Sequence, residues 1–96
     1  MTDIGKLLAE RGKRYGEFDR HAEITQDLKG VISHHVLDLD RHLDPDMTEA
    51  LEMICHKIGR IINGDPTYTD SWDDIAGYAK LVADRLRRDE NSSPFD

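Results

Sequence analysis

The sequence predicts an all-α protein, an antiparallel bundle of about four helices in one domain. Apolar residues recur at steps of three and four over most of the 96 residues, the spacing that gives a helix one core-facing stripe. Helix start and stop signals separate these stretches. The connections between them are short, which is typical of antiparallel neighbours. The length suits one small domain, predicted at residues 1–90.

The first helix is predicted over residues 3–15, with Thr2 or Asp3 as its cap. Its last turn belongs to a basic segment at residues 11–16, which contains two glycines, three cations and a tyrosine. One interpretation is a contact to a phosphate or a nucleotide. The other is a basic last turn that complements the helix dipole before a glycine stop.

The second helix is predicted over residues 18–42 from an apolar stripe that starts at Phe18. Gly30 marks either a close helix crossing or a kink. Near its end, one helix face carries His34, Asp38 and His42 at a spacing that could ligate a metal. The alternative that we favour is a solvated polar face with neutral histidines.

The third helix is predicted over residues 45–63. Asp44 suits the N-cap, and Pro45 suits the first helical position, where a missing N–H does no harm. Gly64 provides the stop. Cys55 borders the apolar stripe and is interpreted as a packing residue.

The fourth helix is predicted over residues 70–88, and it carries the most regular apolar stripe in the chain. The turn before it is short, so the third and fourth helices should be antiparallel neighbours. Residues 91–96 are predicted to be a disordered tail.

Composition narrows the possible functions. Twenty acidic against thirteen basic residues give a formal charge of −7. Such a chain is a poor binder of duplex nucleic acid, which requires clustered cations, but it suits a divalent metal or a basic protein surface. One cysteine allows no internal disulfide, and no apolar run reaches the length of a membrane span. We therefore expect a cytoplasmic protein and, because the core is small, a homo-oligomer.

Two groups of carboxylates lie near helix starts: Glu49 and Glu52 in the third helix, and Asp70, Asp73 and Asp74 in the fourth. Hard carboxylate oxygens are the protein ligands that Mg²⁺ prefers, and a bound metal can activate water for attack on phosphorus. Favourable helix-dipole and capping positions are the alternative explanation. In an antiparallel hairpin the two groups lie at opposite ends, so a shared metal would require another subunit.

Two cations late in the third helix, Lys57 and Arg60, should lie near the acids that open the fourth. The five side chains would form either a structural ion-pair network or a site for a cation and a phosphate. We predict that they form a pocket.

Three segments of the sequence resemble a known family: RGKRYGEF at 11–18, KIGR at 57–60 and DSWDDIAGY at 70–78. Over most of residues 9–86 the chain resembles a small all-helical family common in bacteriophage genomes. That family is itself similar to the MazG-like all-α nucleotide pyrophosphohydrolases, which implies a MazG-like bundle.

The resemblance to MazG-like enzymes implies Mg²⁺-dependent hydrolysis of nucleoside triphosphates to monophosphate and pyrophosphate. Those enzymes show an E-E-x-x-E helix and an E-x-x-D motif that opens a later helix. On this resemblance Asp70-x-x-Asp73 stands in for the second motif, and Glu49-x-x-Glu52 is what remains of the first. On this interpretation Asp70, Asp73 and Asp74 are catalytic and bind the metal with the two glutamates. The phosphate would be bound by Lys57, Arg60 and Arg14.

Three functions are therefore carried forward. The first is a phage MazG-like pyrophosphohydrolase or nucleotide-binding protein, acting in the host bacterial cytoplasm. The second is an acidic, non-enzymatic phage protein that inhibits a host or defence protein by binding to a basic surface of that protein. The third is a purely structural helical module.

Overall fold

A computed structural model describes residues 3–92 of the chain. Within this range the chain is helical and contains no strand, which confirms the predicted fold class and the number of helices. Residues 93–96 of the predicted tail lie outside the described residues. The helices are α1 (Ile4–Tyr15), α2 (Phe18–Asp38), α3 (Pro45–Asn63) and α4 (Thr69–Asn91).

The predicted starts of α1 and α3 are confirmed. Asp3 caps α1, because its carboxylate accepts a hydrogen bond from the Lys6 N–H at 3.1 Å. Asp44 is the N-cap of α3, with Pro45 in the first helical turn. The Asp44 carboxylate makes no capping hydrogen bond and accepts one from Nη2 of Arg85 instead, at 2.9 Å.

The end of α2 differs from the prediction, because the helix stops at Asp38 and not at His42. Asp40 has a positive φ of 49°, the left-handed conformation that follows many helix ends. The N–H of Arg41 then donates to the Val36 carbonyl at 2.9 Å, and the N–H of Asp40 donates to the carbonyl three residues earlier at 3.1 Å. These two bonds form a Schellman motif. Aspartate tolerates the left-handed region better than most residues, so it replaces the glycine that would have signalled the stop.

The last helix is longer than predicted: α4 starts one residue before and ends three residues after the range 70–88. Tyr68 is its N-cap. Ion pairs one turn apart, such as Arg85 with Asp89 at 3.1 Å, support the final turns that the apolar stripe does not reach.

The central helix is α3, and α2 packs on one of its sides. The two helices approach each other closely at Gly59, where an added Cβ would lie 2.8 Å from Thr25 Oγ1 and 2.9 Å from His21 Cε1. These contacts join the start of α2 to the end of α3, so the two helices are antiparallel. Gly30, by contrast, has open space around it and marks no close crossing.

The opposite side of α3 is covered by α4, which is also antiparallel to it. Arg85, late in α4, donates to Asp46 at the start of α3 at 2.6 Å. Lys57, late in α3, pairs with Asp74 early in α4 at 3.0 Å. In residues 3–92, α2 and α4 do not contact each other, so the three helices form an open layer with α3 in the middle.

The core of this layer is small. Ala50 and Cys55 are the apolar side chains that count as buried among the described residues. Cys55 is 3% exposed and acts as packing, and burial raises the pKa of its thiol. No helix within residues 3–92 is long and apolar enough to cross a membrane.

Candidate functional site

The basic segment at residues 11–16 is fixed against the turn that follows α3. Gly16 has φ of 79°, and a Cβ there would overlap the Asn63 carbonyl oxygen. The Asn63 amide donates to the carbonyls of Tyr15 at 3.0 Å and Glu17 at 2.8 Å. A Cβ on Gly64 would likewise overlap the α1 backbone. Two glycines and one asparagine therefore hold the end of α1 against the end of α3.

Two arginines in this region stack on tyrosine rings. The guanidinium carbon of Arg14 lies 4.4 Å from the Tyr68 ring centroid, and that of Arg60 lies 4.3 Å from the Tyr15 centroid. Such stacking orients a guanidinium and leaves its N–H groups available. Arg14 Nη1 also donates to the Tyr68 hydroxyl at 3.3 Å, and this hydroxyl donates to Asp70 at 2.8 Å. The hydrogen bond to Asp70 raises the pKa of Tyr68.

A cleft opens between α1, the start of α2 and the end of α3, and we call it the α1–α3 cleft. It consists of two adjoining hollows of about 420 and about 290 Å³, which share Arg11, Tyr15 and Arg60. The larger hollow falls in the size range of small-molecule sites. The complete lining of both hollows is Leu7, Leu8, Glu10, Arg11, Gly12, Arg14, Tyr15, Gly16, Glu17, Phe18, His21, His56 and Arg60.

Two histidines in the lining of the larger hollow are paired. His21 Nε2 lies 3.2 Å from His56 Nδ1. Thr25 donates its hydroxyl proton to the His21 carbonyl at 2.8 Å, so its oxygen can only accept from His21 Nε2, at 3.4 Å. This arrangement favours the proton of His21 on Nε2 and that of His56 on its own Nε2. His56 then offers an N–H that makes no hydrogen bond to the described part of the chain.

Both imidazoles are neutral at physiological pH. Burial lowers the pKa of His56 to about 4, and the nearby charge of Arg60 adds to this effect. Burial and the same arginine also lower the pKa of His21. His21 Nδ1 faces Gly59 and has no hydrogen-bond partner within residues 3–92. The charge of the cleft therefore comes from its arginines and from Glu10 and Glu17, and not from its histidines.

The five side chains that were predicted to form one pocket lie in separate places. Lys57 and Asp74 form the ion pair on the α4 side of α3, where the Lys57 side chain is only 10% exposed. Arg60 faces α1 on its tyrosine. Asp70 lies in the first turn of α4 and accepts from Tyr68, which links it to Arg14 at the edge of the cleft. Asp73 lines a shallow groove on the surface of α4 together with Asp74, Gly77, Tyr78, Lys80, Leu81 and Asp84.

The two glutamates of the predicted metal set lie far from these acids. Glu49 and Glu52 are exposed near the start of α3, at the opposite end from Asp70, as the antiparallel hairpin required. Glu52 lines a small hollow that also includes Lys29.

No three side chains of His, Cys, Asp or Glu come together as a metal-binding group in the part of the chain that the structure describes. The predicted face of His34, Asp38 and His42 is broken by the early end of α2. His42 lies in the following loop and contacts Asp44 at 3.4 Å. Mg²⁺ often takes only one or two carboxylates together with substrate phosphates, so the predicted magnesium site stays a prediction.

Sequence reasoning missed two residues of the cleft, His21 and His56, and also Tyr68 at its edge. The two histidines are 35 positions apart, and no spacing rule connects them. Gly59 was the available signal, because a glycine within an apolar helix indicates that another element passes close by.

Comparison with known proteins finds no family model that matches the chain, and no curated protein or solved structure matches it. The resemblance to the phage family and to the MazG-like enzymes therefore stays a prediction.

Proposed function

We propose that this protein binds a nucleotide in the α1–α3 cleft, with the phosphates on its arginines. The observation that carries the proposal is the state of Arg11, Arg14 and Arg60. Within residues 3–92, none of the three forms an ion pair with a carboxylate, although the chain has twenty acidic residues. The tyrosine rings orient the guanidinium groups of Arg14 and Arg60, and an oriented, unpaired guanidinium suits the bidentate binding of phosphate.

The other walls of the cleft suit the rest of a nucleotide. Tyr15 and Phe18 offer aromatic surface to a base, and Phe18 is 80% exposed. The neutral His56 offers an N–H donor without the cost of burying a further charge. Glu10 and Glu17 at the edge can accept hydrogen bonds from ribose hydroxyls or base amino groups.

Isothermal titration calorimetry tests the proposal with ATP, dATP, AMP and pyrophosphate, each with and without Mg²⁺. Arg60→Gln and Arg14→Gln should each weaken binding about tenfold or more, since a hydrogen bond to a charged group contributes about 1.5–3 kcal/mol. Arg87→Gln is the matched control, because Arg87 is exposed and pairs with Asp84 away from the cleft. Absence of binding at millimolar nucleotide, or equal losses in all three variants, would refute the proposal.

Hydrolysis is a further part of the proposal, and the MazG-like resemblance supports it. Asp70 is the predicted catalytic acid nearest the cleft, through Tyr68 and Arg14. The described residues offer no three-ligand metal group there. Pyrophosphate release from a nucleoside triphosphate with Mg²⁺, abolished in Asp70→Asn and retained in Asp84→Asn, is the expected result. Binding without release would leave a nucleotide-binding protein.

The acidic surface of α4 favours a second candidate, the binding of a basic protein surface. The groove contains Asp73, Asp74 and Asp84 against one cation, Lys80, so its lining keeps a net negative charge; it also exposes Leu81, which offers an apolar contact. Such binding should weaken steeply with salt. A pull-down from host lysate at low salt tests this candidate. If no protein is recovered whose binding requires Leu81, the result would argue against it.

A further inference from the structure

The central helix has one side that no other helix covers. Gly59 marks the side of α3 that faces α2, and Lys57 marks the opposite side, which faces α4. Leu51, Ile58 and Ile62 recur at steps of seven and four on a line between these two sides. Ile62 is 66% exposed, Leu51 is also exposed and Ile58 is half-buried, so this stripe is largely uncovered.

The flanking helices turn apolar residues toward the same side. On α2, Val31 lies about a third of a turn from Thr25, which faces α3. On α4, Trp72 and Leu86 lie about a quarter turn from the buried Ser71, in the opposite rotational sense. Because α2 and α4 lie on opposite sides of α3 and both run antiparallel to it, these two rotations bring the stripes to one face of the layer. Val31, Trp72 and Leu86 are all exposed there.

The exposed area is too large for a chain of this size. The accessible surface is 7453 Å², whereas about 5600 Å² is usual for a folded monomer of this mass. The radius of gyration is 17.0 Å, against about 12.5 Å for a compact domain of this length. A standard interface buries about 800 Å² on each partner, which is less than half of this whole-chain excess of about 1800 Å².

We propose that the apolar face of the α2–α3–α4 layer is the interface of a homodimer. Among residues 3–92 only Ala50 and Cys55 are buried apolar residues, so the isolated layer lacks the buried area that holds a small domain together. If folding requires this face to be covered, the partner must be present whenever the chain folds. A second copy of the chain meets this condition.

The chemistry of the face also suits a second copy. The stripe on α4 from Trp72 to Leu86 carries no charged side chain, so the net charge of −7 lies elsewhere on the chain. A two-fold axis would then place apolar surface on apolar surface, since each copy presents the same patch. Arg60 faces α1 on the other side of the layer, so the dimer leaves the α1–α3 cleft open and is independent of nucleotide binding.

Sedimentation equilibrium tests the interface through the mass, which should be twice 11.0 kDa at micromolar concentration. Val31→Glu should weaken dimerisation at least about a hundredfold, since each dimer would bury two carboxylates. Leu37→Glu is the matched control: Leu37 is on the same helix, is 83% exposed against 58% for Val31, and lies on the other face. A wild-type monomer, or a dimer that Val31→Glu leaves intact, overturns the proposal.

Val31→Glu could also fail to fold, so a second measurement uses the wild-type chain. Trp72 is the single tryptophan of the sequence and lies on the proposed interface. Its fluorescence should be protected from acrylamide at high concentration and become accessible on dilution, in step with the mass. An unfolded Val31→Glu chain beside a folded, dimeric Leu37→Glu chain supports the proposal, because it couples folding to the interface. Free quenching of Trp72 at all concentrations overturns it.

Discussion

Replacing Gly59 with alanine should destabilise the protein, because α2 crosses α3 against this residue. The new Cβ would lie 2.8 Å from Thr25 Oγ1 and between 2.9 and 3.0 Å from two atoms of the His21 ring. His21 is 6% exposed and Thr25 is 4% exposed, so neither side chain has room to move aside. The methyl group can therefore be accepted only if the two helices separate.

A control variant isolates the magnitude. Gly30→Ala is also a substitution within a helix, and an added Cβ there has nothing within 4 Å. Each substitution gains about 1 kcal/mol of helix propensity. Overpacking at a close crossing costs about 1–3 kcal/mol, and only the Gly59 variant incurs it. The difference between the two variants should therefore be about 1–3 kcal/mol, with Gly30→Ala more stable than the wild type.

Urea unfolding followed by far-ultraviolet circular dichroism gives the free energy of unfolding for both variants. All chains must be compared at one protein concentration, because dimerisation makes stability depend on it. Equal shifts for the two alanine variants, within about 0.5 kcal/mol, would refute the close crossing at Gly59.

Three further predictions concern the same contacts. Because the pKa of His56 is lowered to about 4 and that of His21 is also lowered, protons bind the unfolded chain first. Stability should therefore fall by about 1–2 kcal/mol as the pH drops from 6.5 toward 4; urea unfolding at a series of pH values checks this, and a flat profile would contradict it. Asn63→Ala removes two hydrogen bonds to backbone carbonyls and should cost about 1–3 kcal/mol in thermal unfolding; an unchanged melting temperature would count against that role. Asp74→Asn removes the carboxylate that pairs with the nearly buried Lys57 and should cost on the order of 1 kcal/mol; the same thermal assay decides, and a neutral result would mean that solvent replaces the pair.

The helices could be predicted where local chemistry determines them. Asp44-Pro45 and Gly64 are start and stop signals that act within one turn, and the observed α3 has the predicted bounds. The end of α2 could not be predicted in this way, because Asp40 takes the left-handed conformation without being glycine. Two hydrogen bonds compensate for the left-handed conformation of Asp40, and they can form only once the chain has turned.

The candidate site was predictable only in part. The sequence correctly placed Lys57 near an acid at the start of the fourth helix. Arg60, three residues later, was expected on the same side, but it lies toward α1. A side chain on α3 between two neighbouring helices can point toward either helix, and tertiary packing determines which helix it contacts. The α1–α3 cleft forms where three helices come together. The apolar pattern within a single helix carries no information about how the three helices are arranged.

The most direct test of the function is a titration of the ¹⁵N-labelled protein with ATP, followed by amide chemical shifts. A nucleotide in the α1–α3 cleft should shift residues 11–16, Arg60 and Tyr68, and leave the outer surface of α4 unchanged. Shifts confined to residues 73–84, or no shifts at millimolar ATP, would contradict the proposed cleft.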